Sequence, residues 1–178
     1  MKVLVVVDMQ RDFINGALGT SEAEAIVPKV AEKIRNWDGA VIATRDTHAE
    51  NYMDTREGKY LPVPHCIIDT KGHKIDREVM KAFHELPSQN TTIINKPTFG
   101  STLLPELIRT NFGTPESIEL CGLCTGICVL SNAILLKAHF PDTDIAVDAS
   151  CCACVTPESH KTALEAMKLC QIEIVNEE

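Results

Sequence analysis

Three residues of types that support nucleophilic catalysis, Asp8, Lys96 and Cys128, each follow a stretch with the pattern of a β-strand. Cys128 comes after the apolar run Ile118–Gly122 and a Gly/Thr-rich turn, and the apolar spacing beyond it predicts a helix. A helix N-terminus favours an anion, so it lowers the pKa of a thiol and can hold an oxyanion. Cys128 is therefore our candidate nucleophile, although an isolated cysteine is more often a small buried hydrophobic residue.

Asp8 and Lys96 are the candidate partners of this thiol. Asp8 ends a run of Val and Leu that is typical of a central parallel strand, and Lys96 ends a second apolar run. The carboxyl ends of parallel strands meet at one edge of the sheet, where ligands bind. There Lys96 would stabilise a Cys128 thiolate, and Asp8 would carry the thiol proton to a leaving amine. Each also has a structural reading, Asp8 as a loop cap and Lys96 as a solvated residue before proline.

A second group with chemical potential is Asp46-x-His48 followed by His65. Two imidazoles and one carboxylate are the ligand set of an open zinc or iron site. The spacing alone is a weak signal, because such pairs also arise by chance. An alternative thiolate metal or iron–sulfur site would draw on Cys121, Cys124, Cys128, Cys151, Cys152 and Cys154. Since these fall on different predicted elements, we expect most of them, with Cys66 and Cys170, to fill the core, and His73, His84, His139 and His160 to lie on the surface.

The elements that must position these residues alternate along the chain. Strands are predicted at 2–7, 40–44, 91–95, 118–122, 144–147 and 172–175, and helices at 21–37, 76–86, 103–110, 128–140 and 156–169. Loops are predicted at 10–19 and 150–154, and the long stretch 49–72, which has little periodicity, is expected to be a functional loop. This alternation predicts a mostly parallel α/β sheet with right-handed connections.

Composition narrows the class of protein. The 178 residues, 44% of them hydrophobic, suffice for one well-cored domain. A net charge of −8 and the lack of a basic cluster argue against nucleic-acid binding. No run approaches the roughly 18 apolar residues of a membrane span. The apolar run before Asp8 is too short for a secretory signal, so we expect a cytoplasmic protein with reduced thiols.

With these residues assembled, the chain resembles the isochorismatase-like cysteine hydrolases, and within them the nicotinamidase branch. Five motifs carry the resemblance in order: VVDMQRDF, TRDTH, PHC, INKPTFGS and CGLCTGICV. It implies a single three-layer α/β domain over residues 1–178, with a six-stranded, mostly parallel sheet flanked by helices. It also implies a Cys128–Asp8–Lys96 triad and an oxyanion hole formed by the amides of Cys124 and Cys128.

The resemblance further implies one divalent metal ion, zinc or alternatively iron or manganese, held by Asp46, His48 and His65. The peptide bond Leu123–Cys124 is expected to be cis. In nicotinamidases the pyridine nitrogen of the substrate coordinates the metal, and here Phe13 and Leu123 are the expected substrate contacts. Members of the family often form homo-oligomers, and no patch in this sequence marks an interface.

The function implied is hydrolysis of a small carboxamide through a thioester with release of ammonia, with nicotinamide as the leading substrate. Gly126 and Ile127 stand where the branch often has an acidic and an aromatic residue, which leaves another small amide or carbamoyl compound open as substrate. From a different class, the chain could be a thiol-rich metal-binding or redox-sensing protein on the same fold. A pseudoenzyme that only binds a ligand is the remaining alternative.

Overall fold

The fold is built on one six-stranded sheet. The computed structural model describes residues 1–177, so of the predicted domain only Glu178 lies outside the described residues. All strand pairs are parallel, and the strand order is β3-β2-β1-β4-β5-β6. The strands are β1 (Lys2–Val7), β2 (Ala40–Asp46), β3 (Thr91–Lys96), β4 (Ser117–Leu123), β5 (Asp144–Ala153) and β6 (Glu173–Val175). The predicted α/β class and six-stranded parallel sheet are thereby confirmed.

Within residues 1–177, seven α-helices accompany the strands: α1 (Arg11–Ile14), α2 (Ser21–Arg35), α3 (Arg56–Tyr60), α4 (Arg77–His84), α5 (Leu103–Phe112), α6 (Leu130–His139) and α7 (Pro157–Leu169). Helix α2 packs against α4, whereas α6 packs against both α5 and α7. With right-handed connections, these two groups cover opposite faces of the sheet. Among residues 1–177, none of the helices combines the length and the apolar character needed to cross a membrane.

Local sequence explains where the principal elements begin and why they are buried. Strand β1 is Val and Leu from its second residue onward, and those side chains are inaccessible because helices cover both faces of the central strand. Helix α2 begins after Thr20, whose hydroxyl accepts the Ala23 amide, and α7 begins after Thr156, which accepts the Ser159 amide. These caps satisfy amides that the helices leave without internal partners.

Four predicted segments differ from the structure. The predicted loop at 150–154 is wrong, because β5 continues to Ala153 and pairs with β4 beyond a bulge, where its small side chains are buried. Helix α1 forms within the predicted loop 10–19, and the stretch 49–72 holds α3 and a single 3₁₀ turn at Tyr52–Asp54. The helix expected from Cys128 is preceded by a π-helical turn at Thr125–Val129.

The sheet changes its winding direction between β1 and β4, since the chain runs to one side through β2 and β3 and to the other through β5 and β6. Such a switch point opens a crevice at the carboxyl ends of the strands. Gly122 near the end of β4 has φ +114°, and a Cβ atom there would meet the Val7 carbonyl oxygen at 2.1 Å. Only glycine therefore lets β4 approach β1 this closely and deliver the turn that follows it beside Asp8.

Candidate active site

The carboxyl ends of β1, β3 and β4 bring together the three residues predicted to act in catalysis. The Nζ atom of Lys96 lies 2.5 Å from Asp8 Oδ2 and 3.5 Å from Cys128 Sγ. All three side chains are buried, and those of Asp8 and Lys96 have no exposed surface. Lys96 is thus the contact that joins the carboxylate to the thiol, in surroundings where water does not weaken their interaction.

Thr44 in β2 fixes the orientation of Asp8. Its hydroxyl oxygen accepts the Asp8 amide at 3.2 Å and donates its proton to Asp8 Oδ1 at 2.6 Å. The backbone of Asp8 has φ +47°, in the left-handed region that aspartate adopts more readily than most residues. Since Thr44 occupies Oδ1, the other oxygen faces Lys96 as an ion pair and, within the described chain, accepts no hydrogen bond. Asp8 Oδ2 is therefore available to take a proton.

The charges in this unit depend on one another. Burial raises the pKa of Asp8, although Lys96 opposes that shift. Burial alone would lower the pKa of Lys96, but the Asp8 carboxylate outweighs it and raises the pKa. Burial and the nearby Asp8 raise the pKa of the Cys128 thiol well above its usual value, against the influence of Lys96. The pKa of Cys128 is thus raised and not lowered as its place near a helix N-terminus predicted, because burial and the Asp8 carboxylate disfavour the thiolate.

The turn that carries Cys128 has an unusual backbone. The Leu123–Cys124 peptide bond is cis, as the family resemblance implied. The amides of Ile127 and Val129 both donate to the Cys124 carbonyl, at 3.0 and 3.2 Å, which closes the turn. Cys124 comes immediately before this turn and Cys128 lies within it, so the two amides predicted to receive an oxyanion flank one short loop beside the thiol.

The predicted metal ligands also converge, together with a fourth side chain. Ligand atoms of Asp46, His48, Glu57 and His65 all lie within 4.8 Å of one another. Asp46 Oδ2 is 2.9 Å from His48 Nε2 and 3.5 Å from His65 Nε2, and Glu57 Oε1 is 3.7 and 3.8 Å from the same two nitrogens. The sequence analysis missed Glu57, which lies in α3. Its only signal was a carboxylate shortly before His65 within a segment expected to be functional.

These four residues fit a divalent metal ion. His65 Nδ1 donates to the Val63 carbonyl at 2.8 Å, so loss of the other ring proton would leave the lone pair at Nε2, which faces the cluster. Asp46 Oδ1 is buried and has no hydrogen-bond partner among residues 1–177. Burial alone would raise the pKa of Asp46, but the bonds to His48 and His65 outweigh it and lower the pKa, so the carboxylate is ionised. Zinc, iron and manganese all accept such a donor set.

The alternative thiolate site does not form. In the described part of the chain, the Asp–His–Glu–His cluster is the only group of potential ligands that converges within this distance. All eight cysteines are free, and seven are buried or half-buried. Cys170 is exposed, contrary to the core position expected, because it lies at the end of α7. His160 is half-buried rather than on the surface, and its Nδ1 lies 2.7 Å from the Thr125 hydroxyl.

Gln10 holds the backbone of Asp46, one of the candidate metal ligands. Its Oε1 accepts the Asp46 amide at 2.7 Å, and its Nε2 donates to the carbonyl oxygens of Asp46 and His73 at 2.8 Å each. His73, expected on the surface, is buried because Gln10 pairs with Ile75 and draws that segment against the sheet. Its ring contacts the Thr47 hydroxyl at 2.8 Å. Gln10 therefore fixes both the amide and the carbonyl group of the Asp46 backbone.

A cavity of about 280 Å³ opens beside Cys128. Asp46, Glu57 and His65 lie along one side of it, and apolar side chains form most of the remaining wall. Both predicted substrate contacts, Phe13 and Leu123, line the cavity, and the Phe13 ring centroid is 5.4 Å from that of His65. The space suits a small, largely apolar molecule with one polar group directed at the thiol.

Comparisons with known proteins agree with this geometry. The zinc complex of a pyrazinamidase from Pyrococcus horikoshii has 33% sequence identity and a TM-score of 0.80, covering 98% of each chain. A pyrazinamidase/nicotinamidase from Streptococcus mutans is 25% identical with a TM-score of 0.85, covering 98% of this chain and 100% of its own. The nicotinamidase of Saccharomyces cerevisiae is 25% identical over 99% of this chain and its full length. Residues 2–178 match the family described as the isochorismatase domain, and the chain belongs to the isochorismatase family.

Proposed function

We propose that this protein is a cysteine amidohydrolase that cleaves a small carboxamide and releases ammonia, with nicotinamide as its substrate and nicotinate as its product. The observation that carries the proposal is the contact of Lys96 Nζ with both Asp8 Oδ2 and Cys128 Sγ beside the cavity. If Asp8 and Lys96 formed an ion pair only to stabilise the fold, the pair would not require a cysteine thiol in contact with the lysine. Membership of a hydrolase family supports the same reading.

In the first half-reaction, Asp8 Oδ2 takes the thiol proton of Cys128 as the sulfur attacks the carboxamide carbon. Lys96 stabilises the negative charge on sulfur, and the amides of Cys124 and Cys128 receive the charge that develops on the carbonyl oxygen. The carbon–nitrogen bond then breaks, and the proton on Asp8 moves to the leaving nitrogen. Ammonia departs and a thioester remains on Cys128.

In the second half-reaction, Asp8 takes a proton from a water molecule that attacks the thioester carbon. The same two amides stabilise the second oxyanion, and the carbon–sulfur bond breaks with return of the proton to sulfur. The acid leaves and the thiol is restored, so one amide and one water give one acid and one ammonia. The raised pKa of Asp8 suits this task, because a carboxylate that is too acidic would hold a proton poorly.

Asp46, His48, Glu57 and His65 would hold a divalent metal, for which we propose zinc. A bound zinc ion would act as a Lewis acid that binds a ring nitrogen and so orients the substrate. The apolar wall around Phe13 and Leu123 would hold the ring itself, with its carboxamide toward Cys128. The names of the Streptococcus and Saccharomyces relatives favour nicotinamide over another small amide or carbamoyl compound.

The test is ammonia release by the purified, zinc-loaded protein from nicotinamide, pyrazinamide and a few aliphatic amides. We expect turnover of nicotinamide that disappears in Cys128→Ala, since the nucleophile is lost. Cys170→Ala is the matched control, because that thiol is exposed at the end of α7 and should be dispensable. Turnover retained in Cys128→Ala would overturn the mechanism. Turnover of another amide alone would overturn the substrate, and silence on every compound would favour a binding or sensing role.

A further inference from the structure

A buried amide on α6 lies between the segments that carry two of the catalytic candidates. Asn132 is four residues beyond Cys128 and has no exposed surface. Its Nδ2 donates to the Cys128 carbonyl at 2.8 Å and to the Phe99 carbonyl at 3.3 Å, while its Oδ1 accepts the Ser101 amide at 2.9 Å. Both amide protons and the carbonyl oxygen are thereby used, and every partner is a backbone atom.

The backbone atoms bound by Asn132 belong to two parts of the molecule that the sheet does not join directly. Phe99 and Ser101 follow β3, whereas Cys128 follows β4, and in the sheet β2 and β1 lie between those strands. The segment after β3 also holds Lys96, because the Thr98 carbonyl accepts the Lys96 ammonium at 3.1 Å. Asn132 therefore connects the segment that fixes the ammonium with the turn that carries the thiol.

We propose that Asn132 is a positioning residue that sets the distance between Lys96 Nζ and Cys128 Sγ. This inference rests on the proposed amide hydrolysis and deepens it. An apolar side chain of similar size would fill the space but leave the Cys128 carbonyl and the Ser101 amide without these partners, so the segments would shift to find others. The 3.5 Å contact between ammonium and sulfur would lengthen, and the thiolate would lose stabilisation when it is needed.

The test uses two variants and a control. Asn132→Ala removes all three hydrogen bonds. Asn132→Thr keeps one, because a helical threonine hydroxyl donates to the carbonyl four residues earlier, here Cys128, but it is too short to bridge to Phe99 and Ser101. Thr143→Val is the matched control, since it removes one buried hydrogen bond, to the Pro115 carbonyl, at the opposite edge of the sheet.

We expect Asn132→Ala to lower kcat for nicotinamide about 10- to 100-fold, the cost of misplacing a catalytic group, with little change in KM. Asn132→Thr should recover much of the melting temperature but not kcat. Thr143→Val should lose melting temperature and keep kcat. The inference is overturned if kcat of Asn132→Ala falls no further than that of Thr143→Val, or if Asn132→Thr restores kcat together with the melting temperature.

A second readout separates this inference from the proposed function. The rate of alkylation of Cys128 by iodoacetamide, followed by mass spectrometry of the peptide that contains it, needs no substrate. We expect Cys128 to react more slowly in both Asn132 variants than in the wild type and Thr143→Val, because less thiolate forms when Lys96 is displaced. If nicotinamide is not hydrolysed but alkylation slows in this pattern, the proposed function fails and the positioning role stands. Equal alkylation rates would overturn the positioning role.

Discussion

Two largely buried lysines each lie between two carboxylates, one on α2 and one at the end of β3. Lys33 Nζ is 2.5 Å from both Glu119 Oε1 and Asp148 Oδ2. Lys96 Nζ is 2.5 Å from Asp8 Oδ2 and 3.5 Å from Asp46 Oδ1. In both places burial alone would lower the pKa of the lysine, and the carboxylates outweigh it and raise the pKa. Charge and distance alone do not distinguish the two groups.

The carboxylates around the two lysines differ only in part in what else they bind. Asp148 Oδ1 accepts the Ser150 amide and hydroxyl, and its Oδ2 accepts Asn176 as well as Lys33. Asp8 Oδ2 and Asp46 Oδ1 beside Lys96 accept no hydrogen bond from the residues the structure describes, but neither does Glu119 Oε1 beside Lys33.

The Lys96 group is fully buried beside a thiol and a cavity, whereas Lys33 and Glu119 keep 17% and 20% of their side chains exposed. Since unpaired oxygens occur in both groups, it is the complete burial beside a thiol and a cavity that makes the Lys96 group the candidate for chemistry.

The largest difference that we expect between the Lys96 group and the Lys33 group is in catalytic turnover. We expect Lys96→Met to lower kcat/KM by about 10²–10⁴-fold, because the residue stabilises the thiolate and its loss also alters the proton affinity of Asp8. Lys33→Met, the matched substitution in the other group, should leave kcat/KM close to the wild-type value. Steady-state ammonia release from nicotinamide measures both. Equal losses in the two variants would mean that the groups differ only in location.

The second largest difference that we expect between the two groups is in their effect on metal binding. At a zinc concentration about 100 times its dissociation constant, the folded state gains about 2.7 kcal/mol, which appears as a higher melting temperature. Asp46→Asn should lose this zinc-dependent shift, since Asp46 Oδ2 lies 2.9 Å from His48 Nε2 and 3.5 Å from His65 Nε2. Asp148→Asn should lower the starting stability and keep the shift. If Cys121→Ser abolished the shift while Asp46→Asn kept it, the metal would lie at a thiolate site instead.

Much of this architecture was predictable because the periodicity of the sequence is strong where parallel strands are buried. The convergence of Asp8, Lys96 and Cys128 followed from strand ends meeting at one sheet edge, and the structure brings them together. The fifth strand was predicted at 144–147, but its continuation to Ala153 was missed because the serine and cysteines there resemble a loop, and only pairing with β4 makes them part of the strand. Local composition does not encode that pairing.

The parts of the site that sequence could not give are those set by contacts between distant segments. Glu57 lies near the two histidines only because the non-periodic segment that carries it folds against them. Gln10, which follows β1, accepts the amide of Asp46 at the end of the neighbouring strand β2. The raised pKa of Cys128 depends on burial and on Asp8, which overcome the helix N-terminus visible in sequence. Positions along the chain predicted which residues meet, and the environment then determined their charge.

The smallest of the expected effects is the loss of unfolding free energy when Lys33 is replaced. Lys33→Met leaves Glu119 and Asp148 without their cation, which costs about 3–5 kcal/mol for a fully buried pair and, with these side chains partly exposed, about 1–3 kcal/mol here. Lys168→Met is the matched control, because that lysine forms ion pairs only at the surface. It should leave the unfolding midpoint unchanged. Urea unfolding at neutral pH measures each variant against the wild type.

The pH dependence of that loss identifies its source. Burial alone would raise the pKa of Asp148, but the bonds from Lys33 and Ser150 outweigh it and lower the pKa in the folded protein. A lowered carboxylate pKa contributes stability that is complete above the unfolded value of about 3.9 and is lost as pH falls through the folded value. The difference between the wild type and Lys33→Met should therefore be full at pH 7 and shrink below about pH 4. A difference that stayed constant with pH would mean that lost packing of the lysine stem, rather than the ion pair, destabilises the variant.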